Sequence, residues 1–219
     1  MKQLILIANL FIFTTIFCQK TVVKTVASNA KNIIIQLDNI DILSLKTTNT
    51  KVISVTATEL ISEASYFTLS EEKGSVIIKS VSKSESEKPV NVCFEQPLLT
   101  SYRIEIPKNK TVEIQINNGN FSSNKFVGNL VLNLKQGEIA INDFIGNINI
   151  LNISGKIDCS FLNGKIVAET KLGAITSKLD KLNLVINQNL VTGFVNNELN
   201  SLKIQTVRAN INLKPLKIQ

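Results

Sequence analysis

The feature that most constrains this chain is a row of glycines at an unbroken interval of nine residues. Seven of the nine glycines belong to the row: Gly119, Gly128, Gly137, Gly146, Gly155, Gly164 and Gly173. Because glycine adopts positive φ without steric cost, a fixed interval indicates one backbone corner that is used repeatedly. The row therefore predicts a repeat protein built from nine-residue units.

Within each unit, apolar and polar residues alternate. The third residue, counted from glycine, is always apolar: Phe121, Leu130, Ile139, Ile148, Ile157, Ile166 and Ile175. The fifth residue is often apolar too: Leu132, Ile141, Ile150, Cys159 and Ala168. Alternation of this kind is typical of a β-strand with one buried face, so the third and fifth residues should point inward.

A nine-residue unit holds one short strand and one corner, which is too short for a helical crossover between parallel strands. A second period of eighteen is visible, since Lys125–Gly128 (KFVG) is echoed by Asp143–Gly146 (DFIG). These patterns predict an all-β fold, a parallel β-solenoid (β-helix) with about eighteen residues per coil, in which Asn124 lies beside Asn142. An antiparallel meander of nine-residue hairpin units is the alternative.

The chain divides into three parts that differ in their residue pattern. Residues 1–19 are predicted to be an export signal, because Lys2 precedes a strongly apolar run too short to span a bilayer, and no transmembrane segment is expected after its removal. Residues 20–100 contain strand-like runs and are expected to be an irregular region that caps the open edge of the repeats. Residues 101–219 follow the nine-residue frame and continue from 20–100 as one domain.

The cysteines leave two questions open. A lipid anchor on Cys18 is disfavoured, because Phe17 stands where lipoprotein signals have a small residue. Cys93 and Cys159 remain after signal removal; Cys159 is at an inward fifth position and is interpreted as a small buried hydrophobe. A bridge between the two is conceivable in an oxidising compartment.

The net positive charge of the chain that follows the export signal is confined to the repeats. Residues 19–100 carry nine Lys against nine Asp and Glu, whereas 101–219 carry fourteen Lys and Arg against eight Asp and Glu. A basic surface favours an acidic polysaccharide or another envelope component as partner, with contact through Lys156, Lys165, Lys171 and Lys178. Alternatively, these lysines only keep a sheet protein soluble. Nucleic acid is not expected, because no exposed aromatic residues are interleaved with the basic ones.

Residues for catalysis are few. The chain has no histidine, which removes the commonest general base and metal ligand. The carboxylates of the glycine-spaced units occupy different repeat positions, so no catalytic pair is indicated. Calcium-binding β-rolls have an aspartate at the sixth position of each unit, and no sixth position here is an aspartate. The residues at the sixth positions are Asn124, Asn133, Asn142, Leu151, Ser160, Glu169 and Lys178. We expect no catalytic residue, cofactor or metal. The alternative is a carbohydrate-active β-helix enzyme acting on envelope or extracellular polysaccharide.

The combination of an apolar leader, a strand-rich opening, the segment Tyr102–Pro107 (YRIEIP) and the glycine-spaced units resembles a bacterial adhesin-like family. That family includes the head-domain adhesins common in Bacteroidetes. The resemblance implies a β-helical fold and an exported, non-enzymatic protein of the cell envelope, located in the periplasm, at the outer membrane or outside the cell. It supplies no catalytic or binding residues.

Overall fold

The computed structural model describes residues 20–59, 66–81, 99–179, 183–196 and 199–216. Within these ranges the chain forms β-strands and no helix, which confirms the all-β prediction. The expectations about residues 1–19, Cys18 and Cys93 lie outside the described residues. The strands are β1 (Lys20–Ala27), β2 (Asn32–Thr48), β3 (Val52–Glu59), β4 (Tyr66–Glu72), β5 (Ser75–Val81), β6 (Thr100–Pro107), β7 (Lys110–Gln136), β8 (Ile139–Ser154), β9 (Lys156–Phe161), β10 (Gly164–Thr170), β11 (Ile175–Ser177), β12 (Leu184–Ile186), β13 (Leu190–Val195), β14 (Ser201–Thr206) and β15 (Asn210–Pro215).

The strands β7, β8 and β9 are parallel, and each is displaced by eighteen residues from the next. Leu130 of β7 lies beside Ile148 of β8, and Ile139 of β8 lies beside Ile157 of β9. The echoed segments are also aligned, with Phe126 beside Phe144. The antiparallel meander is therefore wrong for these strands.

Each of the long strands β2, β7 and β8 passes through a corner, which divides the sheet into two faces; the corners of β7 and β8 contain glycine, and that of β2 does not. The first face holds residues 32–37, 111–116, 129–134, 147–152, 165–170 and 201–206, and the second holds 40–48, 120–126, 139–145, 157–161, 175–177 and 211–215. We call one first-face segment and the second-face segment that follows it a rung. Successive rungs stack through backbone hydrogen bonds.

The interior confirms the predicted inward positions. All seven third residues are buried, from 0% exposed at Ile157 to 8% at Ile175, and the fifth residues are 1% exposed or less. Asn147, at a second position, is exposed. The inward side chains of both faces form one hydrophobic cluster, in which each large aliphatic residue contributes about 1.5–3 kcal/mol of burial free energy.

The corners explain the glycine spacing. Six of the seven glycines have φ between 121° and 147°, and Gly173 is the exception. At Gly146 (φ 121°) a Cβ atom would collide with the carbonyl oxygen of Gly128 in the neighbouring rung. Positive φ and close backbone approach therefore require glycine at the same place.

The C-terminal rung is inserted between two earlier rungs. β14 pairs with β8 on one side and β10 on the other, and β15 pairs with β9 and β11. The regular frame places Lys156 between Glu138 and Ala174, and Lys165 between Asn147 and Asn183. Instead, Lys156 lies beside Asn210, and Lys165 lies beside Ser201.

Asn200 fills the corner of the inserted rung where the frame has no glycine. Its Oδ1 accepts a hydrogen bond from the Gly146 N–H at 2.8 Å, and its Nδ2 donates to the Asn163 carbonyl at 3.2 Å. Its own carbonyl accepts from the Lys165 N–H at 2.8 Å. The asparagine thus joins the rung below to the rung above. The far edge of β10 is covered by the antiparallel strands β13 and β12.

The N-terminal rung is inserted in the same way. β2 pairs in parallel with β7, and its second half separates β7 from β6, although β6 and β7 are consecutive in sequence. The Thr111 N–H donates to the Lys31 carbonyl at 3.0 Å, and the Lys108 N–H donates to the Thr48 carbonyl at 3.1 Å. β2 is therefore a regular rung inside the stack and not part of a cap. β1 and β3 lie beyond β6, and β4 lies beyond β5.

We predict that Gly146→Ala destabilises the fold by about 2–4 kcal/mol, because the new methyl group meets a backbone oxygen at an unfavourable φ. Gly74→Ala is the matched control, since Gly74 also has positive φ (73°) but nothing lies within 4 Å of a Cβ there. The control should cost about 1 kcal/mol. Equal losses in urea unfolding would contradict the stacked-corner explanation.

We predict that Asn200→Ala costs about 1–3 kcal/mol, because it leaves the partly buried Gly146 N–H without its acceptor. In the Asn200→Ala variant, amide hydrogen exchange should be accelerated, relative to the parent, more strongly in β14 and β15 than in β7. Asn147→Ala, which removes only an exposed bond to Asn129, is the control and should change little. Unaltered exchange in β14 and β15 would show that Asn200 does not anchor the rung.

Candidate functional site

A groove of about 810 Å³ lies on the outer side of the second face. Its floor is made of small side chains from three neighbouring strands: Ser44 of β2, Ser122 of β7 and Ala140 of β8, which are direct register partners. The hydroxyls of Ser44 and Ser122 are 3.0 Å apart and hydrogen-bonded. Small residues in register leave a recess that runs across the strands.

One wall of the groove is a bulge repeated in two rungs. Lys125 and Asp143 have positive φ, 55° and 61°, and each is followed by a buried phenylalanine. The bulge shifts the alternation, so that the residue after each phenylalanine is turned outward; Ile145 is 62% exposed. Thr47 supports the wall, because its hydroxyl donates to the Lys125 carbonyl at 2.9 Å.

The groove is lined by more positive than negative side chains. Four cations belong to it, Lys46, Arg103, Lys108 and Lys125, against the carboxylates of Glu105 and Asp143. Arg103 is the register partner of Ser44, and Glu105 that of Lys46. Within the described ranges none of these cations has a carboxylate oxygen within 4.0 Å. The arrangement provides unpaired cations beside hydroxyl and amide groups.

The four lysines predicted from the sequence are not brought together. Lys156 is ion-paired with Asp158 at 2.7 Å, and Lys171 lines a separate groove with Lys135. Lys165 lies beside Ser201, and Lys178 donates its N–H to Leu213 at the end of the second face. The groove cations were missed because β2, which supplies Lys46, lies outside the nine-residue frame and is inserted between β6 and β7.

Asp158 joins the inserted C-terminal rung to the rest of the second face. It accepts a hydrogen bond from Asn212 Nδ2 at 2.9 Å and lies 2.7 Å from Lys156 Nζ and 3.6 Å from Lys214 Nζ. Partial burial raises the pKa of Asp158, but the hydrogen bonds and charges of these neighbours outweigh it and hold the pKa below its usual value. Asp158 is therefore a fixed carboxylate and a poor proton donor near neutral pH.

The thiol of Cys159 belongs to the core. It is free and buried, and burial, with a smaller effect of Asp158, raises its pKa to about 12. It is therefore a protonated, unreactive side chain, as expected for an inward fifth position.

The described ranges hold no group of three His, Cys, Asp or Glu residues close enough to bind a metal ion. They also hold no helix with the length and apolar character to cross a bilayer.

Three solved structures are similar to this chain. A putative cell adhesion protein from Clostridium sporogenes aligns over 90% of this chain and 100% of its own, with a TM-score of 0.62 and 15% identity. A putative lipid binding protein from Parabacteroides distasonis (89% and 96% covered, 9% identity) has a TM-score of 0.38. A putative adhesin from Bacteroides fragilis (89% and 97% covered, 9% identity) has a TM-score of 0.28.

The Clostridium protein shares the fold of this chain, and at 15% identity the likeness shows the fold alone. The other two TM-scores are too low to support an argument. No family model and no curated protein matches the chain. The resemblance to adhesin-like proteins seen in the sequence is confirmed at the level of fold.

We predict that Asp158→Asn lowers stability at neutral pH by about 1 kcal/mol, because it removes the charge that two lysines and Asn212 contact. The folded pKa of Asp158 lies below the unfolded value of about 3.9, so its contribution is present above that pH and is lost as pH falls through the folded pKa. Melting temperatures of variant and parent should therefore converge in acid. The control, Glu169→Gln, removes an exposed carboxylate without a described ion pair and should have no effect at either pH.

Proposed function

We propose that this chain is an exported, non-enzymatic, adhesin-like protein of the cell envelope whose rungs form a β-solenoid. The groove on its second face binds acidic polysaccharide. The observation that carries the proposal is the set of four cations, without carboxylate partners among the residues that the structure describes, around a recess that crosses three strands.

The direction of the groove suits a polymer. Its floor residues come from β2, β7 and β8, which stack about 4.8 Å apart, so the recess follows the axis of stacking. An extended chain laid along this axis would meet side chains of each rung in turn. A polymer with regularly spaced carboxylates can therefore contact several cations at once, and each contact can be weak.

The chemistry of the lining also suits a sugar polymer. Ser44, Ser122, Asn124 and Asn142 offer hydroxyl and amide groups that can bind sugar hydroxyls. Arg103 can bind a carboxylate through two parallel N–H bonds. Val127 and Ile145 provide apolar contact at the wall. The carboxylates of Glu105 and Asp143 limit the net positive charge of the groove and therefore favour selective binding. The contacts between the groove cations and the carboxylates of the polymer make that binding sensitive to salt.

The proposed location rests on two supports. The apolar run at the N-terminus has the character of an export signal. The fold is shared with a protein described as a putative cell adhesion protein, and we extend that role to this chain by proposal. Protease treatment of intact cells, followed by detection of the protein, would separate a surface location from a periplasmic one.

We predict that the protein binds polygalacturonate in isothermal titration at low salt and that Arg103→Gln with Lys46→Gln weakens binding at least tenfold. Binding should decline with added salt and be unaffected by a chelator. Lys165→Gln with Lys178→Gln removes the same charge outside the groove and should leave most of the affinity intact.

Equal losses from the two double variants would show that net charge, and not the groove, determines binding. Shortening of the polymer during the titration, detected as new reducing ends, would favour the carbohydrate-active enzyme instead.

A further inference from the structure

The corner that leads from the first face to the second carries an unusual surface in four stacked rungs. We call it the basic edge; it consists of residues 135–137, 153–155, 207–209 and 171–173. Backbone bonds hold these segments side by side: Gly137 N–H to Ser154 O at 3.1 Å, Arg208 N–H to Ile153 O at 2.9 Å, and Leu172 N–H to Val207 O at 2.8 Å. The edge is therefore a continuous, rigid ridge.

Aliphatic side chains are exposed along this ridge. Ile153 is 49% exposed and Leu172 is 73% exposed, and Val207 lies between them at partial exposure. Leu151, 43% exposed, lines the adjoining groove of about 590 Å³ together with Ile153 and Val207. Leaving such residues in water is unfavourable, and a ridge of them indicates a contact with an apolar phase.

The charges on the ridge are all positive. Lys135, Lys171 and Arg208 are exposed and belong to the same four corners, which contain no Asp or Glu. None of the three has a carboxylate within 4.0 Å in the part of the chain that the structure describes. Of the acidic residues nearest in sequence, Glu138 directly follows Gly137 and lies near Lys156, and Glu169 lies on the first face. The ridge thus combines exposed aliphatic groups with unpaired cations.

The opposite corner provides a contrast within the same fold. It also exposes aliphatic residues, Ile145 at 62% and Leu162 at 38%, but there Lys125 is accompanied by Asp143. Apolar exposure is therefore common to both corners, whereas uniform positive charge belongs to the basic edge. The uniform positive charge of the basic edge indicates a partner that is negatively charged.

We propose that the basic edge binds the surface of an anionic phospholipid membrane. Ile153, Leu172 and Val207 enter the boundary between headgroups and acyl chains, while Lys135, Lys171 and Arg208 contact lipid phosphates. Because the edge is a corner, the polysaccharide groove on the second face stays outside the contact. The inference is independent of polysaccharide binding, since no residue is shared between the edge and the groove.

The test is co-sedimentation of the full chain with vesicles of phosphatidylcholine alone and with vesicles containing phosphatidylglycerol. Any binding through the apolar N-terminal run is common to both vesicle types, so the measured quantity is the excess on anionic vesicles. We expect this excess to fall as salt is raised. Lys135→Gln, Lys171→Gln and Arg208→Gln together should reduce it on the order of a hundredfold.

The matched charge control is the triple variant Lys165→Gln, Lys178→Gln and Lys203→Gln, whose residues are exposed outside the edge. It should retain most of the excess. For the apolar part, Ile153→Ser with Leu172→Ser should reduce the excess about tenfold or more, whereas Ile145→Ser with Leu162→Ser should not. All these side chains are exposed, so melting temperatures should remain near that of the parent.

Three results would overturn the proposal: no excess on anionic vesicles, equal losses from the two charge variants, or equal losses from the two aliphatic variants. A concentration-dependent dimer that Ile153→Ser abolishes, without vesicle binding, would assign the edge to contact between two copies of the chain. Polygalacturonate binding measured on the triple variant of Lys135, Lys171 and Arg208 and on the double variant of Ile153 and Leu172 should be unchanged, which separates this inference from the proposed function.

Discussion

The structure depends on the close approach of backbones at stacked corners. At six corners a glycine with positive φ lies against a carbonyl of the neighbouring rung, as Gly146 does against Gly128, and no side chain fits between them. Because the corners stack directly, the strands that leave them stay in register, and one inward position stays above another through many rungs. The hydrophobic core follows from this alignment, since Leu130, Ile148 and their equivalents meet in ladders. Among corner positions that lack glycine, Asn200 shows how side-chain hydrogen bonds replace it.

The order of rungs in space differs from their order in the chain at both ends. β2 is inserted beside β7, and the rung of β14 and β15 is inserted between those of β8–β9 and β10–β11. A rung held on both sides exposes no free strand edge, and antiparallel strands lie beyond β6, β5 and β10, whereas β11 has β15 as its only partner among the described strands. Asp158 and Asn200 are two of the polar contacts of the C-terminal insertion, one on the second face and one at a corner. The stability of the C-terminal insertion should therefore depend on pH through the ionisation of Asp158.

Insertion also assembles the surfaces that we connect with function. The groove exists because β2 places Ser44 and Lys46 between Arg103 of β6 and Ser122 of β7. The basic edge exists because the C-terminal rung places Val207 and Arg208 between Ile153 and Leu172. Both surfaces contain residues that are distant in sequence and adjacent only after insertion. The two surfaces lie on different parts of the rung, so an envelope contact at one leaves the other free to bind.

The sequence by itself determined the strand class, the nine-residue unit, the eighteen-residue displacement and the inward residues, because glycine spacing and alternation act locally and repeat. It also indicated the burial of Cys159 and the resemblance to adhesin-like proteins. The sequence also placed Asn124 beside Asn142 correctly, but the hydrogen bond it suggested between them is replaced by one in which Asn142 Oδ1 accepts from the Ser160 hydroxyl. Only the tertiary structure decided which rungs are neighbours, because any rung with the same inward pattern fits beside any other. The predicted contacts Lys156, Lys165, Lys171 and Lys178 do not stack on one another in the nine-residue frame either, whereas the groove depends on β2, which the frame did not place between β6 and β7.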